Sequence, residues 1–311
     1  MTTPYEHSLE YSKCQLSKIR DRLKELSLDN AALLVCCGSY ARGEASEQSD
    51  IDYVMVSDDT KTAPDLNERV RSEIRSIVPN SPSEGGAFGA TVNRSEILAN
   101  IGGDDDSNKN ITRRILLLLE GEWLFNKEGL RSFRREILER YIGEGMTDHQ
   151  LALFLLNDII RYYRTVAVDY EFKTSGSGEP KPWAIRNIKL VFSRKLLYAS
   201  GLFSIAMTAD RARDEKIEIL EGLFDRPVME RMIKICGKAA MEPVLTSYNF
   251  FLEKLEDLET RKHLEKLEIG NRDDRTFRAI KNKGHHFTRE LLKVFESTFD
   301  STHPIHRAVI F

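Results

Sequence analysis

The sequence predicts an α+β fold in which a small mixed β-sheet domain, residues 1–108, precedes an all-helical domain, residues 109–311. Short apolar runs near the N terminus are typical of strands, whereas helical spacing of apolar residues dominates from residue 112 onward. A chain of 311 residues is long enough for two domains, because single domains seldom exceed about 250 residues.

The elements of the first domain are predicted in the order helix, strand, strand, helix, strand. Leucine and isoleucine recur at helical spacing over Ser8–Leu28, and the same spacing returns over Asp65–Val78. The apolar runs Ala31–Cys37 and Ile51–Val56 are typical of strands, and the alternation over Gly86–Asn93 predicts a third. Together these elements predict a small sheet flanked by helices.

The second domain is predicted to be helical throughout. Its apolar residues recur at the three- and four-residue spacing of one helix face in seven successive segments. These segments are Ile111–Leu119, Leu130–Tyr141, Leu151–Phe172, Ala184–Ala199, Arg211–Leu223, Glu242–Leu267 and Arg275–Phe299.

Charge and composition restrict the class of partner. A net charge of −3 and a pI near 6.2 disfavour binding of long DNA or RNA by bulk electrostatics, although a local basic groove remains open. The polar first 22 residues and the lack of an apolar run of about 20 residues predict a cytoplasmic protein without membrane contact. Four cysteines without C-x-x-C spacing argue against a zinc site.

The first predicted strand ends in a segment suited to binding phosphate, Gly38-Ser39-Tyr40-Ala41-Arg42-Gly43. A Gly-Ser turn allows backbone N–H groups to approach an anion without a Cβ in the way. We expect Gly38 to permit that approach and the Ser39 hydroxyl to bind a phosphate oxygen. Arg42 either steadies the loop or contacts phosphate.

The second predicted strand begins with a pair of acids suited to a metal. In Ser49-Asp50-Ile51-Asp52, side chains alternate at period two, so Asp50 and Asp52 share one face. Two neighbouring carboxylates suit Mg²⁺ or Mn²⁺, which proteins bind through one or two acids plus substrate oxygens. Asp50 and Asp52 are therefore the predicted catalytic metal ligands. The alternative is an ordinary hairpin with surface aspartates.

The combined pattern Gly-Ser-x-Ala-Arg-Gly followed by Ser-Asp-Ile-Asp resembles the signature of the nucleotidyltransferase superfamily typified by DNA polymerase β. Weaker similarity at Asn110–Glu120, Trp123–Phe125 and Trp183–Leu190 places the chain nearest to bacterial PII uridylyltransferases and related signal-transduction nucleotidyltransferases. The resemblance implies a site that assembles a nucleoside triphosphate and two metal ions. It also implies that a helical domain forms one wall of the nucleotide cleft.

That wall is predicted to include Lys189, which shares a helix face with Arg186 and Ser193. This basic stripe would contact the triphosphate, and the alternative is a solvated helix face. The superfamily normally supplies a third carboxylate from a neighbouring strand, but Gly86–Asn93 contains no acid. Glu84, or the run Asp104–Asp106, remains as the candidate.

The sequence thus predicts a metal-dependent nucleotidyltransferase that moves a nucleoside monophosphate from a nucleoside triphosphate to an acceptor and releases pyrophosphate. The acceptor is left open between a protein, a small molecule and tRNA. One alternative is a catalytically degenerate nucleotide-binding regulatory module, motivated by the missing third acid. Another is a toxin or defence nucleotidyltransferase.

Overall fold

The protein is described by a computed structural model over residues 2–26, 28, 32–58, 63–80, 91–99, 101–175 and 182–309, with backbone alone at 63–64 and 171–175. Three strands form its sheet, namely β1 (Leu33–Cys37), β2 (Asp52–Val56) and β3 (Glu122–Phe125). The remaining regular elements of these ranges are helical.

The helices are numbered in chain order. Those of the N-terminal half are α1 (Pro4–Lys24), α2 (Gly38–Arg42), α3 (Ala63–Ile77), α4 (Arg94–Ala99), α5 (Asn108–Leu119) and α6 (Lys127–Tyr141). Those that follow are α7 (Leu153–Ser175), α8 (Trp183–Lys189), a π turn (Leu190–Arg194), α9 (Lys195–Ala206), α10 (Arg213–Phe224), α11 (Val228–Cys236), α12 (Lys238–Glu256), α13 (Leu258–Lys266), α14 (Arg275–Thr298) and α15 (Ile305–Ala308).

Strand β1 is the centre of an antiparallel sheet with the order β2-β1-β3. In the register of β1 and β2, Cys37 lies opposite Asp52, so the end of β1 and the start of β2 meet at one edge. An isolated parallel bridge joins Val56 to Val92, but both strand pairings of the sheet itself are antiparallel.

The two faces of the sheet pack against different helices. One face packs on α1 and α3, and the other joins the large core of the helical region. Because side chains alternate along a strand, Asp52 lies on the same face as Val54 and Val56, which belong to the large core. The first acid of β2 is therefore directed toward the helical region.

Helix α1 connects the sheet to the C-terminal helices. Its N terminus is fixed by a capping box, in which Thr3 Oγ1 accepts from the Glu6 N–H at 3.3 Å and Glu6 Oε2 accepts from the Thr3 N–H at 2.8 Å. The same turn contacts α12, where Asn249 Oδ1 accepts from the Tyr5 N–H at 2.9 Å. The first helix of the chain therefore packs on both parts of the fold.

A π turn lies at the centre of the helical region. It interrupts the stretch from α8 to α9, and Phe192 within it stacks on Phe251 of α12 with ring centroids 4.7 Å apart. Helix α14 approaches this turn closely at Gly284, where a Cβ would lie 2.4 Å from Val191 Cγ1. The widened turn rotates the helical register between Lys189 and Arg194, and single π turns of this kind are frequent at functional sites.

The α+β class and the helical second half are confirmed. The third strand of the sheet is β3, however, and the predicted strand Gly86–Asn93 lies mostly outside the described residues, with Val92 in the parallel bridge. The predicted domain boundary after residue 108 stays a prediction, although β3 lies beyond it. None of the described helices combines the length and apolar character needed to cross a membrane.

We expect Gly284→Ala to destabilise the protein by about 1–3 kcal/mol, because the new methyl group overpacks the stiff side chain of Val191. The matched control is Gly222→Ala in α10, where a Cβ meets no atom within 4 Å. That change should stabilise the helix by roughly 0.5–1 kcal/mol. Urea unfolding of both variants measures the difference, and equal effects would contradict the close approach of α14.

Candidate active site

A cavity opens where β1 and β2 meet the helical region. The space between its walls is about 680 Å³ when the part open to solvent is included. The sheet side contributes Gly38, Ser39, Arg42, Glu44, Ser46, Ser49, Asp50 and Asp52, together with Ser8 of α1. The helical side contributes Lys189, Ser193, Arg194, Phe251, Leu252, Leu255, Glu256 and Arg261.

The phosphate turn and the acid pair converge. Gly38 has φ +77°, a left-handed conformation that favours glycine, and a Cβ there would lie 2.9 Å from Asp52 Oδ2. The turn and the carboxylate are therefore in close contact. The half-buried Ser39 is the second residue of the short helix α2, and its hydroxyl makes no hydrogen bond to another described residue. That hydroxyl is available to a ligand.

A buried ion pair holds the phosphate turn in place. Glu120 Oε1 accepts from the Gly38 N–H at 3.0 Å, and Glu120 Oε2 accepts from Arg42 Nη1 at 2.5 Å. The Arg42 Nε donates to Glu44 Oε2 at 3.0 Å. Burial would raise the pKa of Glu120, but Arg42 and Arg194 reverse that effect and hold it below its ordinary value. Arg42 therefore steadies the loop, and the Gly38 N–H is occupied by protein.

Two further buried arginines fix the segment that carries Glu120. Arg134 of α6 donates from Nε to the Leu117 carbonyl at 3.0 Å, and Arg231 of α11 donates from Nη2 to the Leu119 carbonyl at 2.7 Å. The last carbonyls of a helix lack partners within it, so these contacts satisfy the end of α5. The position of Glu120 is thereby set by helices on both sides.

The helical region also anchors the loop after the phosphate turn. The Tyr248 hydroxyl of α12 donates to Glu44 Oε1, across 204 residues of sequence. The adjacent Ala45 N–H donates to Ser12 Oγ of α1 at 3.2 Å. The loop is held from two helices before any ligand binds.

Asp50 and Asp52 both line the cavity, and neither carboxylate makes a hydrogen bond or ion pair with another described residue. Burial, and then the negative charge of Asp50, raise the pKa of Asp52 to about 6. Two crowded carboxylates without a cationic partner, facing a cavity, fit the ligand set of a divalent cation. The pair predicted from the sequence is thus brought together with Gly38 and Ser39.

Positive charge lies on the helical side of the cavity. Lys189 makes no ion pair within the described part of the chain, and burial together with the charge of Arg261 lowers its pKa to about 8. Arg194 Nη1 lies 3.6 Å from Glu120 Oε2 and has no hydrogen-bond partner among the residues that the structure describes. These side chains suit an anion that enters the cavity.

Residues 16–141 match the family model of the nucleotidyltransferase domain. This part of the chain belongs to the nucleotidyltransferase superfamily. The match begins within α1, ends at the last residue of α6, and contains all three strands and both acids of the site. A search of curated proteins finds no match, so the closer resemblance to PII uridylyltransferases stays a prediction.

Lys189 and Arg194 follow the matched segment, so the nucleotidyltransferase domain forms its cavity together with the helical region. Helix α12 adds an apolar wall of Phe251, Leu252 and Leu255. Such a wall excludes water from one side of the site and strengthens electrostatic interactions within it.

No third carboxylate joins Asp50 and Asp52 in a metal-ligand arrangement among the described residues. No group of three His, Cys, Asp or Glu side chains there has the arrangement of a metal site. Asp104 and Asp105 are exposed, and buried Asp106 pairs with Arg114 at 2.5 Å without lining the cavity. Glu84 lies outside the described residues.

Sequence reasoning missed Glu120 and Arg194. The sequence held one indication for Glu120. An acid at the C terminus of a helix interacts unfavourably with the helix dipole, so a nearby cation is expected to stabilise it. Arg194 directly follows the predicted stripe of Lys189 and Ser193, but an ideal helix would direct it elsewhere. The π turn explains its place in the cavity.

We expect Glu120→Gln to destabilise the protein by about 3–5 kcal/mol, because the charge of buried Arg42 loses one of its two carboxylate partners. The control is Glu268→Gln, an exposed acid without an ion pair among the described side chains. Urea unfolding at pH 7 provides the measurement. A loss below about 1 kcal/mol would show that Glu44 alone suffices.

The raised pKa of Asp52 has a stability consequence with a defined sign. The folded pKa of about 6 exceeds the ordinary 3.8, so ionisation costs folding free energy as pH rises through that interval. We expect Asp52→Asn to stabilise the protein by about 1–3 kcal/mol at pH 8, allowing for solvent screening, and by little at pH 4. Urea midpoints with EDTA, compared with Asp65→Asn, test this, and a gain independent of pH would contradict it.

Proposed function

We propose that this protein is a metal-dependent nucleotidyltransferase. It transfers a nucleoside monophosphate from a nucleoside triphosphate to an acceptor hydroxyl or phosphate, with release of pyrophosphate. The observation that carries the proposal is the contact of the Gly38 turn with Asp52, in the cavity that also holds Asp50 and faces Lys189. The superfamily assignment supports a nucleoside triphosphate as substrate.

Asp50 and Asp52 would hold the metal, Mg²⁺ or Mn²⁺, because they are adjacent, unpaired oxygen donors. A bound divalent ion neutralises the charge of the phosphate oxygens during transfer. Asp52 would hold the ion in its ionised form.

The side chains of the site perform positioning and charge compensation, which account for most of the catalysis in phosphoryl transfer. The Ser39 hydroxyl donates to a phosphate oxygen, while Lys189 and Arg194 balance the charge of the triphosphate. Because its pKa is about 8, Lys189 is mostly protonated at pH 7. The Arg42–Glu120 pair keeps the turn in its binding conformation without touching the reacting atoms.

The bond changes balance within this arrangement. The acceptor oxygen forms a bond to the α-phosphorus, and the bond between that phosphorus and the oxygen bridging to the β-phosphate breaks. Pyrophosphate leaves with the bonding pair, and the acceptor proton passes to solvent. Asp50 and Asp52 border the place where this exchange occurs.

A second candidate is a nucleotide-binding module without turnover. One observation favours it. The other acids in the described wall of the cavity, Glu44 and Glu256, already contact side chains of the protein. Glu44 pairs with Arg42 and Tyr248, and Glu256 lies 3.4 Å from His7. On this alternative, the site would bind a nucleoside triphosphate without catalysing its reaction.

Incubation with each labelled nucleoside triphosphate and Mg²⁺ should release pyrophosphate. We expect Asp50→Asn and Asp52→Asn each to lower the rate at least about 100-fold, because the metal loses a ligand worth several kcal/mol of charge stabilisation. Asp65→Asn in α3, exposed and outside the cavity, should retain the wild-type rate.

Two other outcomes are informative. Binding of a nonhydrolysable triphosphate by calorimetry, without pyrophosphate release from any triphosphate, would favour the second candidate. Equal rates in the wild type and both aspartate variants would reject the proposed reaction.

A further inference from the structure

Five cations beside the cavity form a surface that we call the basic surface. They are Arg164 of α7, Arg186 of α8, Lys195 of α9, Arg272 before α14, and Lys281 of α14. Arg164 and Arg272 are exposed, and the other three are half-buried. They belong to four helices and to the turn before α14, and α8, α9 and α14 contact the π turn.

Neutral groups hold the two lysines of this surface. The Lys281 Nζ donates to Asn187 Oδ1, and the Lys195 Nζ donates to Thr288 Oγ1 at 2.7 Å. Across the described side chains, none of the five cations forms an ion pair with a carboxylate. The arrangement fixes positive charge without neutralising it.

Neighbouring cations on the same helices differ in this respect. Arg161 of α7 lies 3.2 Å from Asp158, and on α14 Lys293 lies 2.9 Å from Glu290. The acid next to Arg272 in sequence, Asp273, pairs with Arg278 at 3.1 Å. Some cations of these helices are therefore paired with acids, whereas the five of the basic surface have no carboxylate partner among the described side chains.

The cations of the basic surface also lie close enough to repel one another. Burial, and then the charge of Lys281, lower the pKa of Lys195. Burial and the charge of Arg272 lower the pKa of Lys281 in the same way. Clustered like charges oppose folding, and a polyanion that binds them relieves the repulsion.

The basic surface adjoins the cavity through α8, which carries both Arg186 and the cavity residue Lys189. Burial and the charge of Arg194 lower the pKa of Arg186, and Asp50 opposes that shift. Arg186 therefore interacts with two residues that line the cavity. Lys189, one helical turn further along α8, points into the cavity itself.

Aromatic side chains accompany the cations. Tyr198 lies one turn after Lys195 on α9 and stacks on Tyr163 of α7, with ring centroids 4.6 Å apart and planes 18° apart. Both rings are half-buried, and the charge of Arg164 acts on the Tyr198 hydroxyl. Cations interleaved with partly exposed aromatic rings are the composition of single-stranded nucleic-acid sites.

We propose that the acceptor is a single-stranded nucleic acid, whose phosphate backbone lies on the basic surface and whose terminal hydroxyl enters the cavity beside Asp50. This inference rests on the proposed function for the chemistry and adds the class of acceptor. With a net charge of −3, the protein attracts a polyanion through this local surface and not through its overall field.

Fluorescence anisotropy with a labelled RNA of about 20 nucleotides tests the proposal, because one binding fold covers roughly 4–16 nucleotides. A DNA of equal sequence forms the second arm and identifies which nucleic acid is preferred. The assay contains EDTA and no nucleoside triphosphate. We expect wild-type binding to one of the two, and at least a tenfold loss of affinity in the variant Lys195→Gln, Arg272→Gln, Lys281→Gln.

The same triple variant should lower the salt dependence of binding, because each lost phosphate contact removes about 0.7 from the logarithmic slope for single strands. Three contacts therefore predict a decrease of about 2. The matched control carries Lys109→Gln, Arg140→Gln and Lys234→Gln, exposed cations outside the basic surface without ion pairs to described side chains. It has the same net charge and should bind as the wild type does.

Equal affinity of the two triple variants would overturn the proposal, and so would the absence of wild-type binding to both oligonucleotides. Binding to vesicles of anionic phospholipid in place of oligonucleotides would assign the surface to a membrane and overturn it equally. Because the assay needs neither metal nor triphosphate, its failure is distinct from a failure of the proposed reaction, which the aspartate variants report.

Discussion

The buried pair of Arg42 and Glu120 is the interaction on which the candidate site depends. The Glu120 carboxylate accepts hydrogen bonds from both the Arg42 guanidinium and the Gly38 N–H. One side chain therefore fixes the turn and Arg42 together. Removing two charges from water costs several kcal/mol, and good geometry with further hydrogen bonds is needed to offset that cost. The pair therefore specifies one conformation of the turn more than it adds to stability.

Support for this pair comes from outside the sheet. Arg134 and Arg231 hold the end of α5 that leads into Glu120, and Tyr248 binds Glu44, the second partner of Arg42. Arg231 and Tyr248, which follow the matched segment, thus complete the interactions that the nucleotidyltransferase domain begins. Since these donors are buried and committed, the cavity is preorganised around the unpaired groups Asp50, Asp52 and Lys189.

The parts of the site that sequence reasoning located are those encoded within a few residues. The turn at Gly38 and the alternation that places Asp50 and Asp52 together are local, so composition and period reveal them. Strand β3 was missed because four residues are too few to show a period, and it pairs with β1 from far along the chain.

Glu120 and Arg194 escaped prediction for a related reason. Glu120 acts on Gly38 across 82 positions, and no local pattern encodes such a contact. Arg194 reaches the cavity through a π turn, which shifts the helical register that periodicity assumes. The superfamily assignment does not identify the acceptor. The matched segment also ends before Lys189 and Arg194, the cations on the helical side of the cavity.

The contact of Tyr248 with Glu44 has a consequence for biosynthesis. A ribosome adds roughly 5–20 residues per second, so the 204 positions that separate these partners correspond to a wait of about 10–40 s at that rate. Throughout this interval, the loop that contains Glu44 lacks its hydrogen bond from Tyr248. The order of translation thus delays assembly of the complete pocket until most of the polypeptide has been made.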